Sequence, residues 1–343
     1  MSRARAGAAH SAEPPGGAGA RRALLTGLTG QDGSFLAELL LENGYEVTGL
    51  IRRSSADPLG CAEHLRERVQ LVHGDLLQPA TLRAAIEQVR PSEIYHLAAP
   101  SFVPASWERP AETIDAIVGS ATAILEAVRG GDLKARVLIC ASGSIYGETP
   151  DSPQNERTPA RPTTPYAVAK LAAHQLAGVM RAHSGLHVSS AITYNHESER
   201  RPERFVTRRI TRGAAAISLG LQSELALGSL EAVRDWSFAG DVVRGEWSML
   251  QQDDPGDYVL ASGVGHTVAE FAAAAFACLD LDAERFLRVD PSLVRTPERT
   301  PNVGDPSKAK ERLGWEPQVS FEALVERMVD ADLRSLREAR VRS

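Results

Sequence analysis

Tyr166-Ala-Val-Ala-Lys170 places a phenol and an ammonium four residues apart. On a helix the two side chains lie one above the other. A lysine ammonium beside a phenol favours the phenolate and draws its pKa toward neutrality. Tyr166 is then a candidate general base for a substrate hydroxyl, with Lys170 as its electrostatic partner. The same spacing also fits an ordinary solvated helix face. Two other stretches favour chemistry: the glycine-rich run Thr26-Gly-Leu-Thr-Gly-Gln-Asp-Gly33 and the hydroxyl-bearing run Cys140-Ala-Ser-Gly-Ser-Ile-Tyr-Gly147, with Ser142 and Ser144. Together the three outline a dehydrogenase-type site.

The elements needed to position these residues are legible in the hydrophobic pattern. Arg22 to Thr26 is a short apolar strand that runs into Gly27, Gly30, Gln31, Asp32 and Gly33, and a helical pattern follows until Asn43-Gly44. Strand, tight glycine turn and helix form the context of a dinucleotide fingerprint, in which the backbone approaches a pyrophosphate at a helix N-terminus; a plain strand-to-helix turn is the alternative. The next strand, Tyr45 to Ile51, ends at Arg52-Arg53-Ser54-Ser55. An acidic residue there would accept from a ribose 2′-hydroxyl, whereas two arginines and two hydroxyls suit a 2′-phosphate, so the cofactor read is NADP. A solvated basic loop is the other reading. Val69 to Val72 is a third strand, with Asp75 and Leu76 beyond it beside the adenine. Ile94 to Leu97 is a fourth, and Leu97, Ala98 and Ala99 leave room for close cofactor approach. Arg136 to Cys140 is a fifth, with Ser142 and Ser144 at the end where open α/β sheets place ligands. A helix runs from the Tyr–Lys motif to about His183, and Val188 to Thr193 is another strand.

The alternation predicts an α/β fold: a Rossmann-type doubly wound parallel sheet with a smaller, mixed C-terminal domain. Residues 1–21 are Ala/Gly/Pro-rich and read as a disordered tail. Residues 22–194 form the cofactor domain, with 235–262 returning to it; 195–234 and 263–340 form the substrate domain. Pro291 to Pro306 reads as a loop and Ser320 to about Arg337 as a terminal amphipathic helix. The net charge is −6 over 343 residues, with no basic tract in the folded part, which argues against a nucleic-acid surface. No apolar run is long enough for a membrane span. Cys61, Cys140 and Cys278 are scattered, without metal-ligand spacing, and read as thiols in a reducing, cytoplasmic setting.

Longer runs carry a resemblance. Leu25 to Ser34, Arg52 to Ser55, Tyr166 to Lys170, Asn195-His-Glu-Ser198, Phe205-Val-Thr-Arg208, Arg234-Asp-Trp236 and Gly304-Asp-Pro306 resemble the extended short-chain dehydrogenase/reductases that modify nucleotide sugars, and among them the GDP-mannose 4,6-dehydratase family. The resemblance spans about Ala23 to Trp315. It implies NADP, and a GDP-sugar held by residues matching Ser101, Val103, Asn195, Arg209, Arg234, Arg295 and Glu298. It also implies a homotetramer in which the loop matching Arg52–Ser55 reaches a neighbouring subunit.

One departure bears on the chemistry. The family's fifth strand ends in a Thr-Ser-Glu pattern before an aromatic-Gly pair; this chain has Ser142-Gly143-Ser144 before Tyr146-Gly147. A 4,6-dehydratase oxidises C4, uses a carboxylate to remove the C5 proton and expel the C6 hydroxyl, then reduces C6. Ser142, Tyr166 and Lys170 suffice for the oxidation, while a serine does not titrate usefully for the elimination. The expectation from sequence is therefore C4 epimerisation of a GDP-hexose or GDP-heptose through a transient 4-ketone. Dehydration with a displaced acid/base, from Glu148 or Glu197, is the alternative. A non-catalytic GDP-sugar or NADP binding protein is a third reading, which the intact Ser-Tyr-Lys set opposes.

Overall fold

The run Arg22-Ala-Leu-Leu-Thr26 is buried on both faces from its second residue on, as a strand interior to a parallel sheet must be. A computed structural model describes residues 20–53, 59–131, 133–293 and 300–342. In chain order its strands are β1 (Arg22–Thr26), β2 (Glu46–Ile51), β3 (Gln70–His73), β4 (Glu93–His96), β5 (Arg136–Cys140), β6 (Val188–Thr193), β7 (Asn195–Glu197), β8 (Leu225–Leu227), β9 (Val233–Phe238), β10 (Asp257–Leu260), β11 (Gly265–Thr267) and β12 (Leu287–Val289). The helices are α1 (Gln31–Glu42), α2 (Pro79–Val89), α3 (Ala105–Glu108), α4 (Pro110–Ile114), α5 (Ser120–Gly130), α6 (Pro165–Ser184), α7 (Val206–Ser218), α8 (Ala239–Leu250), α9 (Val268–Ala277), α10 (Ala283–Phe286), α11 (Ser307–Leu313) and α12 (Phe321–Arg342).

Seven strands form one sheet in the order β10-β6-β5-β4-β1-β2-β3, and every pairing in it is parallel. The chain reverses direction across the sheet between β1 and β4, which opens a crevice at the C-terminal strand ends. Side-chain alternation sends Leu24 to the core under α2, α5 and α6, and Leu25 to the core under α1 and α8. The doubly wound parallel sheet expected from sequence is what the chain forms. The second, third and fourth strands begin at Glu46, Gln70 and Glu93, each within one residue of expectation.

The stretch 235–262 divides. Helix α8 packs on the large sheet and β10 forms its edge, but β9 pairs with β7 and antiparallel β11 in a separate three-stranded sheet. β8 and β12 form a further parallel pair. Helices α7, α9 and α12 pack together over this smaller half. Asp332 of α12 is fully buried there, and Arg208 Nε donates to both its oxygens at 2.8 Å while Thr211 Oγ1 donates at 2.7 Å. Asp332 thus meets its desolvation cost with charge-assisted bonds. Among the described residues, no helix is long and apolar enough to cross a membrane.

Candidate active site

The turn after β1 is shaped for close backbone approach. Gly27 has φ +85°, and a Cβ there would lie 2.9 Å from the Ala98 nitrogen. A Cβ on Gly33 would fall 2.1 Å from the Gly27 carbonyl oxygen, so the first turn of α1 rests directly on the loop. Gly30 is the N-cap of α1, which opens the helix N-terminus toward the crevice. A buried hydrogen-bond chain fixes the neighbouring end of β4. The Ala98 N–H donates to Thr26 Oγ1 at 3.2 Å, Thr26 meets His96 Nδ1 at 2.8 Å, and His96 Nε2 meets Ser120 Oγ at 2.9 Å. Burial pushes His96 down to about 3, so the ring stays neutral and serves as a fixed link. Arg52 and Arg53 are exposed just past β2, while Asp75, Leu76, Leu97 and Ala99 are half-buried along the same strand ends. Ser54 and Ser55 lie outside the described residues.

The Tyr–Lys motif begins a helix, as its spacing requires. Thr164 Oγ1 accepts the Ala167 N–H at 3.1 Å as the N-cap of α6, and Pro165 follows at the first helical position. That start puts Tyr166 in the first turn and Lys170 one turn deeper, both buried. The Lys170 ammonium is 5.8 Å from the centre of the Tyr166 ring and donates to the Cys140 carbonyl at 2.6 Å. Charge from Tyr166, Cys140 and Glu246 outweighs burial and holds the Lys170 pKa above its ordinary value, so the ammonium persists. Helix α6 packs on the turn after β5, where Ser142 and Ser144 stand. Ser142 Oγ accepts the Ser144 N–H and donates to Ser144 Oγ, each at 3.2 Å. The four residues expected to do chemistry thus converge at one strand end. The two proposed substitutes for the missing carboxylate do not join them. Glu148 is exposed, and buried Glu197 is engaged by Thr207 Oγ1 at 2.6 Å and Arg201 Nε at 3.1 Å.

Gln31 and Asp32 use their side chains to join the glycine turn to the smaller half. Gln31 Nε2 donates to the His196 carbonyl at 3.0 Å and Ser198 Oγ donates to Gln31 Oε1 at 2.7 Å. His196 Nε2 pairs with Asp32 at 3.0 Å. Burial acts against both charges, yet their attraction and hydrogen bond lower Asp32 to about 2 and raise His196 to about 9. The Asn195-His-Glu-Ser198 run is thereby a structural coupling as well as a motif. The same holds for Arg234-Asp-Trp236 and Gly304-Asp-Pro306. Buried Asp235 accepts from Ser262 N at 2.7 Å, Ser262 Oγ at 2.6 Å, Gly263 N at 2.9 Å and Gly304 N at 3.2 Å. Asp235 is why those two distant segments occur together, a role the spacing alone did not reveal.

Of the residues implied for the nucleotide sugar, Asn195 is half-buried on β7, Arg234 half-buried on β9 and Arg209 exposed on α7. Ser101 is exposed and Val103 half-buried in the loop after β4. Arg295 and Glu298 lie outside the described residues. Glu246 escaped the sequence reading because it looks like any charge on an amphipathic helix, yet it is 1% exposed in α8.

The GDP-mannose 4,6 dehydratase family model matches residues 24–328. GDP-mannose 4,6 dehydratase 2 of Arabidopsis thaliana is 45% identical over 331 residues, covering 93% of this chain and 88% of that protein. GDP-mannose 4,6-dehydratase of Sinorhizobium fredii is 42% identical over 344 residues, covering 93% of this chain and 98% of its own length. The UDP-glucose 4-epimerase of Thermus thermophilus, solved with NAD, superposes with a TM-score of 0.79 at 27% identity, over 91% of this chain and 98% of that one.

Proposed function

The chain belongs to the GDP-mannose 4,6-dehydratase family, and on that premise we propose that it uses NADP to convert a GDP-hexose through a transient 4-keto sugar, with 4,6-dehydration as the outcome. The supporting observation is the end-to-end likeness to proteins named as dehydratases at 37–45% identity. It weighs toward dehydration rather than the epimerisation that the sequence alone favoured. NADP fits the chain's own residues: Gly27 and Gly33 leave no room for a Cβ, α1 presents its N-terminus, and Arg52 and Arg53 are exposed just past β2, where a 2′-phosphate would lie. When bound, the nicotinamide supplies a reversible hydride acceptor.

In this reading Tyr166 takes the proton of the 4-hydroxyl, Lys170 stabilises the phenolate, and Ser142 hydrogen-bonds the 4-oxygen. Asn195, Arg209 and Arg234 hold the nucleotide diphosphate and sugar, with Arg295 and Glu298 completing the set and Ser101 and Val103 beside the sugar. A homotetramer is proposed on the same family likeness; light scattering at micromolar concentration checks it, and a monomer overturns it.

One observation favours a second reading. Ser144 Oγ lies 3.2 Å from Ser142 Oγ where the family pattern carries a carboxylate, and neither Glu148 nor Glu197 replaces it. A 4-keto sugar that turns over and is reduced on its other face needs no such group, which gives C4 epimerisation. Incubation of the purified protein with a panel of GDP-hexoses in deuterated water decides. Dehydration gives loss of one water with deuterium at C5; epimerisation leaves the mass unchanged and C5 protiated. In the second case Ser144→Glu restores part of the elimination. No turnover of any GDP-sugar overturns both readings.

A further inference from the structure

Gln154 lies in the long connection from β5 to α6, the stretch that leaves the Ser142–Ser144 turn and arrives at Tyr166. Pro150 to Pro153 before it are exposed, yet Gln154 is buried, at 2% exposure. Each of its polar groups is engaged. The backbone N–H donates to the Val303 carbonyl at 2.8 Å and the carbonyl accepts the Asp305 N–H at 2.7 Å, which pairs Gln154 with Gly304 as a parallel bridge. Side-chain Nε2 donates to the Asp151 carbonyl at 2.7 Å and to the Pro301 carbonyl at 2.9 Å. Oε1 accepts the Tyr194 hydroxyl at 2.9 Å.

Tyr194 follows β6, directly precedes Asn195 and is also buried. Its ring is wedged between two glycines. A Cβ on Gly143, the middle residue of the Ser142–Ser144 turn, would fall 3.0 Å from the ring's Cε1 and Cζ, and a Cβ on Gly304 would fall 2.7 Å from its Cε2. Tyr146 stacks beside it with ring centres 6.5 Å apart and donates to the Asn155 carbonyl at 2.7 Å. One edge of the Tyr194 ring therefore meets the serine turn and the other meets the Gly304 segment. That segment reaches Arg234 as well, since the Asp235 N–H donates to the Asn302 carbonyl at 3.0 Å and Arg234 bridges to Asn302.

We propose that Tyr194 and Gln154 are positioning residues, a buried strut that sets the spacing between the Ser142–Ser144 turn and the segments carrying Asn195 and Arg234, so that a sugar held by its nucleotide presents C4 to Ser142 and Tyr166. This rests on the functional reading given above. The nucleotide is gripped at one end of the strut and the chemistry occurs at the other, so a change in its length moves C4 relative to Tyr166 without removing a ligand from either end. A displacement of 1 Å at a reacting centre costs about 10²-fold in rate. The segment 300–305 stays attached when the strut is cut, because Asp235 still accepts the Gly304 N–H at 3.2 Å. What the strut adds is register.

The test separates binding at each end from turnover. The NADP-loaded protein is assayed with a panel of GDP-hexoses headed by GDP-mannose, and kcat and KM are measured on the one turned over fastest. GDP alone, titrated by calorimetry, reports the nucleotide end, and NADP content reports the cofactor end. Gln154→Met keeps the length of the side chain and removes its hydrogen bonds; Tyr194→Phe keeps the ring and removes only the hydroxyl. The expected result is a fall in kcat of about 10²-fold in Gln154→Met and about 10-fold in Tyr194→Phe, with GDP affinity, GDP sites per chain and NADP content at wild-type values. The double variant is no slower than Gln154→Met, because the two side chains share one contact. Wild-type kcat in both variants overturns the proposal. So does a loss of GDP sites in step with kcat, which marks a fold that is lost and not a register, and so does a double variant whose loss is the product of the two single losses. If Gln154→Met does not fold, Tyr194→Phe decides by the same comparison of kcat with GDP binding. A wild type that turns over no GDP-hexose overturns the functional reading and the strut with it, whereas an active wild type matched by its variants overturns the strut alone.

Discussion

The two ends of the crevice are built by different means. The cofactor end comes from contiguous runs: Thr26 to Gly33 bends at one glycine turn, and Tyr166 to Lys170 needs one helix turn. Backbone geometry places those residues, and little else is asked of their neighbours. The proposed sugar-nucleotide end joins segments far apart in the chain, β7, β9, the loop at Gly304 and α12, and holds them with the half-buried carboxylate Asp32 and the buried carboxylates Asp235 and Asp332. Substitutions at the first end therefore act on chemistry and leave the fold, whereas those at the carboxylates of the second act on stability first.

The largest effect expected from this contrast is at Tyr166. Tyr166→Phe removes the proton acceptor and lowers kcat on the true GDP-sugar by about 10²–10⁴-fold. Its unfolding temperature and its NADP content stay at wild-type values. A variant that loses activity by unfolding would erase the distinction between the two ends.

Next is Asp235. Asp235→Asn keeps the shape but leaves one acceptor oxygen for the donors on Ser262, Gly263 and Gly304. The expected loss is about 2–3 kcal/mol of unfolding free energy, read by denaturant titration. An unchanged midpoint shows that the segments are held by packing instead.

The Asp32–His196 pair joins the two ends and gives a pH signature. His196 is raised from 6.5 to about 9, so its contribution is full below pH 6.5 and is lost as pH rises through 9. Asp32 is lowered to about 2, so its share is present above its ordinary value of 3.8 and is lost only as pH falls through 2. Between pH 6.5 and 9 the wild type should lose roughly 1–3 kcal/mol more than His196→Gln in parallel urea titrations. Matching pH profiles would remove the pair as the link between the ends.

The smallest effect is expected at the exposed arginines. Arg52→Ala with Arg53→Ala weakens NADP about 10-fold, as loss of a charge-assisted phosphate contact does, and leaves NAD affinity unchanged. Equal weakening of both cofactors, measured by calorimetry, breaks the 2′-phosphate assignment.

Sequence by itself determined what depends on near neighbours along the chain. The parallel sheet follows from strand–helix alternation, the phosphate-type turn from the spacing of Gly27, Gly30 and Gly33, and the Tyr166–Lys170 stacking from the helical period. Ser142 and Ser144 could be placed at a strand end, because strand ends are where such sheets open. What lies across a strand or beneath a helix was not legible. Nothing in the sequence sets Glu246 or Asp332 apart from a solvent-facing charge, and His196 and Asp235 stand in motifs without a stated reason. Period-two and period-3.6 patterns say which way a side chain points but not which group it meets there. Only the packing of α8 against β5, of α12 against α7 and of β9 against the loop at Gly304 settles whether a carboxylate finds water, an arginine, four N–H and O–H donors, or, as at Glu246 Oε2, no hydrogen-bond partner among the described residues.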